Sequence, residues 1–137
     1  MARDKYHHAA RIALEKAAWI VTNDPLELSF KQADFEIDLA AERLIAAERG
    51  LEKIAVEIKS FLSKSAISEF HTALGQYLNY QEALATLQPD RKLFLAVPLD
   101  AYNTFFQLPF TQDSLKKYQI ALIVYNPLSE VIELWNP

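Results

Sequence analysis

Ile54-Ala55-Val56-Glu57-Ile58-Lys59 is an apolar run broken by two charges two residues apart. Side chains of a strand alternate faces, so Glu57 and Lys59 project from one face and Ile54, Val56 and Ile58 from the other. Upstream, Phe35-Glu36-Ile37-Asp38-Leu39 repeats the alternation, with Glu36 and Asp38 opposite the three apolar residues. If the two stretches pair across a turn near Gly50, then Asp38, Glu57 and Lys59 converge on one side of a sheet. Two carboxylates and an ammonium in one place cost free energy unless a cation lies between the acids. An acid, a second acid and a lysine around a divalent metal are equipment for opening a phosphodiester.

Working outward, the 137 residues make one domain, 1–137, and the hydrophobic half of the composition with only two glycines describes a packed globular unit. No apolar run approaches the roughly 20 residues that cross a bilayer, so no membrane is expected. The start, Met1 to His8, lacks the apolar centre of a signal peptide. The absence of cysteine excludes disulfides and thiolate metal sites and fits a cytoplasmic protein. A formal charge of -4 runs against simple phosphate binding, which rests on basic surfaces. Carboxylates that are neutralised only on binding metal account for part of that charge.

Along the chain, Ala10, Ala13, Leu14, Ala17 and Val21 recur at helical spacing and predict a helix over about Asp4–Thr22, ended by Asn23-Asp24-Pro25. His7 and His8 diverge by about 100° on such a helix and are read as surface or packing histidines. Leu26–Phe30 reads as a short strand. Residues from Leu39 to Arg49 fit a helix or a strand, and the strand is preferred because Glu48-Arg49-Gly50 reads as a turn and the next run, Ile54–Phe61, is β. Ser63-Lys64-Ser65 offers caps for a helix over Ala66–Leu87, which Gln88-Pro89-Asp90 stops. Leu93–Val97 and Gln119–Tyr125 read as buried strands, Leu99–Lys117 as a short helical or irregular passage, and Val131–Trp135 as an edge strand. The expected fold class is α/β, a mixed sheet flanked by helices on both faces, in the order α-β-β-β-α-β-(short α)-β-β.

Glu-x-Lys on a strand is a weak motif alone, because a solvated strand with a cross-strand ion pair shows the same spacing. Here the charges stand in an otherwise apolar strand, with Ala55 and Phe61 on their face, and an acid lies on a preceding apolar strand. The arrangement resembles the PD-(D/E)xK nuclease superfamily, whose restriction-endonuclease-like fold carries an acid and then Glu-x-Lys on successive strands. Ile37 stands where the name-giving proline would be. Some branches add an acid on the first helix and a glutamine on the helix after the lysine strand, which match Glu15 and Gln76. For Glu15 the plainer reading is a solvent-facing helix residue, and for Gln76 a core glutamine satisfied by backbone. A resemblance over the whole chain, carried by Lys5-Tyr6-His7, Ala55 to Phe61, Leu74-Gly75-Gln76-Tyr77 and Ile132-Glu133-Leu134-Trp135, is to the XisH family. These are small cyanobacterial proteins named as controlling factors for excision of a DNA element.

What the resemblance implies is specific. Asp38 and Glu57, with the backbone carbonyl of Ile58, would hold Mg²⁺ or Mn²⁺. Lys59 would orient the attacking water and offset charge on the phosphorane. Glu15 would reach a metal-bound water, and Gln76 would hold substrate or orient Lys59. The expected function is excision control in programmed DNA rearrangement as a metal-dependent endonuclease. The implied partners are DNA, an XisI-like protein and, in a homodimer, a second copy of the chain. The competing expectation is a non-catalytic accessory module that keeps a nuclease fold and docks DNA or a partner.

Overall fold

The computed structural model describes residues 4–46 and 50–136. Its main sheet has six strands in the order β1-β4-β5-β6-β7-β8: β1 is Ile20–Asn23, β4 Leu39–Ala46, β5 Gly50–Ile58, β6 Arg91–Pro98, β7 Leu122–Asn126 and β8 Val131–Asn136. Strands β5, β6 and β7 are parallel, and every other pair is antiparallel. Helix α2, Ala66–Leu87, makes the long crossover that a parallel β5–β6 pair requires. A 22-residue helix needs firm ends: the Ser65 hydroxyl accepts from the Ser68 amide at 3.2 Å, Glu69 complements the positive first turn, and Pro89 lies beyond Leu87.

The alternation of β5 divides the interior into two cores. Ile54, Val56 and Ile58 face helix α1, His7–Lys16, whose Ala10, Ala13 and Leu14 let it lie close to the sheet. Ala55 faces α2, with Phe70, Ala73, Tyr77 and Leu84. Short helices α3 (Leu99–Asn103) and α4 (Pro109–Lys117), with a 3₁₀ turn at Phe105–Gln107 between them, complete the layer on the α2 face. The mixed sheet is therefore covered by helices on both faces, as the composition of its strands demands. Among the described residues, no helix is long and apolar enough to cross a membrane.

Three expectations need correction. The first helix stops at Lys16, and Ala18 turns the chain with a φ of 71°. Trp19 and Val21 extend the helical spacing in sequence, yet Val21 lies on strand β1, paired with Ala41 of β4. Trp19 still enters the α1 core, stacked on Trp135 at 5.5 Å. Secondly, Phe35 does not pair with β5. Strand β3, Ala33–Ile37, folds back on β2, Leu26–Phe30, in a separate two-stranded sheet with Leu26 opposite Ile37. The turn between them uses positive φ at both Lys31 and Gln32, 49° and 68°, the geometry that matches the twist of a two-residue hairpin. Five strands therefore precede α2, not three. Thirdly, β5 ends at Ile58 and β7 begins at Leu122, because Phe61 and Gln119 take left-handed φ of 53° and break the extended runs. The expected turn at Glu48-Arg49-Gly50 falls largely outside the described residues, and Gly50 itself has a φ of +75°.

Candidate active site

The carboxyl end of a parallel strand, where an open α/β sheet characteristically receives its ligands, is here the end of β5. Glu57 lies there on the α2 face, 5% exposed. Asp38 occupies the bend between β3 and β4, where the chain leaves the small sheet and enters the large one. Leu39 is opposite Val56, which brings Asp38 alongside Glu57. Each acid then takes a backbone amide from across the junction. The Ile58 amide donates to Asp38 Oδ2 at 2.7 Å, and the Asp38 amide donates to Glu57 Oε1 over a longer 3.4 Å. Lys59 Nζ stands 3.6 Å from Glu57 Oε2. The sheet geometry thus gathers Asp38, Glu57 and Lys59 at one place.

The backbone around them is fixed from several sides. The Lys59 amide extends the parallel ladder to the Ala96 carbonyl at 3.0 Å, and the Lys59 carbonyl accepts from the Tyr125 hydroxyl at 3.3 Å. Asp4 Oδ2 accepts the Ser60 amide at 2.8 Å, which ties the start of α1 to the end of β5. Glu69 of α2 accepts the Phe61 amide at 2.9 Å. The N–H and C=O of a strand residue point to the same side. The Ile58 carbonyl therefore faces the Asp38 side, as its amide does.

Burial, followed by the charge of Asp38, pushes the Glu57 carboxyl up to about 8, against the pull of Lys59. Asp38 is also raised, by burial above all, although the Ile58 amide and the charges of His7 and Lys59 act the other way. Burial and the neighbouring like charge both disfavour the doubly ionised pair, so without a cation the pair holds on to a proton. A hard divalent cation fits this donor set. Asp38 Oδ1 takes no part in the backbone clasp, Glu57 Oε2 faces Lys59, and Mg²⁺ commonly takes one or two carboxylates while keeping several waters. Among the described residues, no three His, Cys, Asp or Glu side chains form a common ligand cluster, so the protein ligands open to a cation here would be the acid pair and backbone.

The two helical candidates fare differently. Glu15 is exposed and pairs with Arg11 of its own helix at 3.6 Å. It stands eight residues beyond His7, about 12 Å along the axis at ~1.5 Å per residue. The structure does not bring it to the acids, because α1 approaches them with its first turn. Gln76 lies on α2, one helical turn from Tyr80. The Tyr80 phenol is raised by burial first and then by the charges of Glu57, Asp38 and Glu36, which places it beside the pair. The Gln76 Oε1 atom is buried with no hydrogen-bond partner, contrary to the reading of a glutamine satisfied by backbone.

Sequence reasoning did not foresee the contact between His7 and Asp24. His7 is 5% exposed, and its Nε2 lies 2.8 Å from Asp24 Oδ1, while Arg11 Nη1 holds Asp24 Oδ2 at 2.7 Å. No periodicity links positions 7 and 24, and only the tertiary fold makes them neighbours.

A family model described as XisH protein matches residues 1–133. The chain belongs to the XisH family. Two solved structures resemble this XisH-family chain over 98% of its length and 100% of theirs. One is an XisH family protein from Nostoc punctiforme PCC 73102, with 50% identity and a TM-score of 0.89. The other is a fdxN element excision controlling factor protein from Anabaena variabilis, with 48% identity and a TM-score of 0.90. Among curated proteins, none matches the sequence.

Proposed function

We propose that this XisH-family chain acts in excision control of a DNA element, as a divalent-cation-dependent endonuclease of the PD-(D/E)xK type working beside an XisI-like partner. The observation that carries the reading is the clasp of Asp38 and Glu57 with Lys59 at the carboxyl end of β5. A decayed site would keep the fold without keeping two acids and a lysine buried in mutual contact at evident electrostatic cost. The name of the Anabaena variabilis relative supports the excision role.

Asp38 and Glu57, with the Ile58 carbonyl, would hold Mg²⁺ or Mn²⁺, which would supply charge stabilisation at the scissile phosphate. The protein groups do the rest. Lys59, tied down through its own carbonyl and amide, presents its ammonium to the water and to the phosphate oxygens as negative charge develops. Gln76 offers its free carbonyl oxygen to a donor on substrate or to Lys59.

The test is cleavage of duplex and branched DNA with Mn²⁺, with the XisI-like partner present because a chain of charge -4 binds DNA weakly alone. Lys59→Ala should lower the rate by roughly 10²–10³, while Mn²⁺ binding measured by calorimetry stays close to wild type. Wild-type protein that is inactive on every substrate, with excision in cells indifferent to Lys59→Ala, would establish the accessory-module reading instead.

A further inference from the structure

Past the lysine of the site the chain continues Lys59-Ser60-Phe61-Leu62-Ser63-Lys64, in which two lysines flank a phenylalanine. Phe61 begins a run of ring contacts. It stacks on Phe105 at 6.0 Å, Phe105 meets Phe70 at 5.5 Å, and Phe70 meets Phe110 at 6.3 Å. Leu62 beside Phe61, Ile67 one turn before Phe70, and Phe110 itself are each about half exposed. The segment after β5, the first turn of α2 and the first turn of α4 thus share an apolar and mainly aromatic surface. It starts two residues from Lys59, within about 8 Å along the chain at ~3.8 Å per residue.

A duplex turns charged phosphates outward, and such a surface does not complement them. A nucleobase does fit it, because stacking on aromatic side chains is what holds a single strand whatever its sequence. The charges agree. Lys59 and Lys64 stand at the two ends of the stretch, and Glu69, the acid that reaches into it, has its oxygens taken by the Phe61 amide and by the Ser63 amide and hydroxyl. Asp113, exposed one turn along α4 from Phe110, opposes a phosphate there but not a neutral base. Gln76 points the same way independently, since its Oε1 is buried without a donor. The phosphate and deoxyribose chain of DNA carries only acceptors, so a donor for that oxygen has to be a base N–H. A base reaches a buried atom by leaving the stack, not by presenting an edge in a groove.

Resting on the nuclease reading above, we propose that the substrate is DNA whose nucleotides are unpaired at the scissile phosphate, with bases stacked along the surface from Phe61 to Phe110 and one base giving an N–H to Gln76. The ring-to-ring steps exceed the roughly 3.4 Å between stacked bases, so the surface takes a few nucleotides on one side of the cut. Lys59 and Lys64 meet the phosphates that lead onto it. Affinity then rests on stacking more than on phosphate pairing, which is how a chain of charge -4 holds a nucleic acid.

The full chain with its XisI-like partner and Mn²⁺ is assayed on a duplex, on one of its strands alone, and on the same duplex carrying a single-stranded flap. Cleavage should fall in or beside the unpaired segment, about tenfold or more faster than in the duplex, which must first be unpaired. Equal rates on paired and unpaired DNA would overturn the inference and leave the nuclease reading standing. No cleavage of any of the three would sink that reading and this inference with it. Binding is read separately, by fluorescence anisotropy of a labelled single strand with the Lys59→Ala protein and Mn²⁺, so that the DNA stays intact. Adding Phe110→Ala should weaken that binding by about 5- to 150-fold, the contribution of one stacked base. Phe110→Leu, which keeps apolar area without a ring, should also bind more weakly, and Phe110→Trp should restore affinity. Should Phe110→Ala not fold, Phe110→Leu carries the comparison. Wild-type affinity in Phe110→Leu would overturn the proposal, and so would loss of partner binding with single-strand affinity unchanged, which would give the surface to the partner protein.

Discussion

Replacing Asp38 by Asn should make the cation-free protein more stable while spoiling its response to metal. The Asn carbonyl oxygen can still accept the Ile58 amide, so the backbone clasp survives the change. What disappears is one of two like charges buried side by side. Two unit charges about 4 Å apart interact by about 4 kcal/mol at an effective permittivity near 20, and Lys59 already relieves part of this. A net gain of about 1–3 kcal/mol follows at pH 9, above the value of about 8 to which Glu57 is raised. For a domain of this size that is a rise in Tm of roughly 4–10 °C.

The gain should shrink toward pH 5, because the wild-type pair then relieves itself by binding a proton. Folded Glu57 keeps its proton up to about pH 8, whereas the same group in the unfolded chain lets go near 4.5. Between those values the folded state holds more protons, so wild-type stability must fall as pH rises, by at most about 1.4 kcal/mol per unit. Above pH 8 the curve should flatten. In Asp38→Asn the decline should be shallower, since burial remains and the neighbouring charge does not. Urea denaturation at pH 5, 7 and 9 in chelator, repeated with Mg²⁺, measures all of this. Wild type should gain stability with Mg²⁺ as any ligand of the folded state demands, and the mutant should gain much less. The same pH slope and the same Mg²⁺ increment in both proteins would refute a shared proton and a shared cation at this pair.

Gln76→Leu should be neutral or stabilise the free protein by about 1 kcal/mol, because it removes a buried carbonyl with no donor; chemical denaturation reads this, and the loss of several kcal/mol would mean that the amide already has an internal role. The same variant should weaken cleavage if that carbonyl meets substrate. Arg91→Ala should destabilise by about 3–5 kcal/mol, since the guanidinium donates to the Ile54 and Ala41 carbonyls and to Glu42 and Gln88 in a largely buried place. A change below about 1 kcal/mol would show those bonds to be replaced by water.

The end of β5 was legible because its chemistry and its period coincide: the charges of Glu57 and Lys59 fall on one face of a strand whose other face is all aliphatic. Helix α2 was legible to the residue, since Ser65 and Pro89 punctuate it. What hid the rest was backbone conformation that side-chain pattern does not encode. Ala18 adopts a left-handed φ that nothing in an Ala-Ala-Trp sequence announces, so β1 was absorbed into the first helix. Lys31-Gln32 makes a tight hairpin turn without Asn or Gly, and the small sheet β2–β3 was therefore invisible. Asp38 was placed correctly beside Glu57 although its strand partner was wrong, because β4 resumes the alternation one residue later. Glu15 was a position carried by resemblance alone. His7, read as a surface or packing histidine, meets Asp24 only once the chain is folded.

Asp38 is also the joint at which one continuous chain is handed from the two-stranded sheet to the six-stranded one. Its amide and carboxylate both grip β5, while the residue before it is still paired to Leu26. A force that tilts the small sheet is therefore passed to the spacing of the two acids through Asp38, alongside the packing of β2 on α2 and of β3 on β5. A nucleic acid or protein leaning on β2–β3 would tune the grip on the cation mechanically, as a lever sets the gap of a clamp, without touching a single ligand.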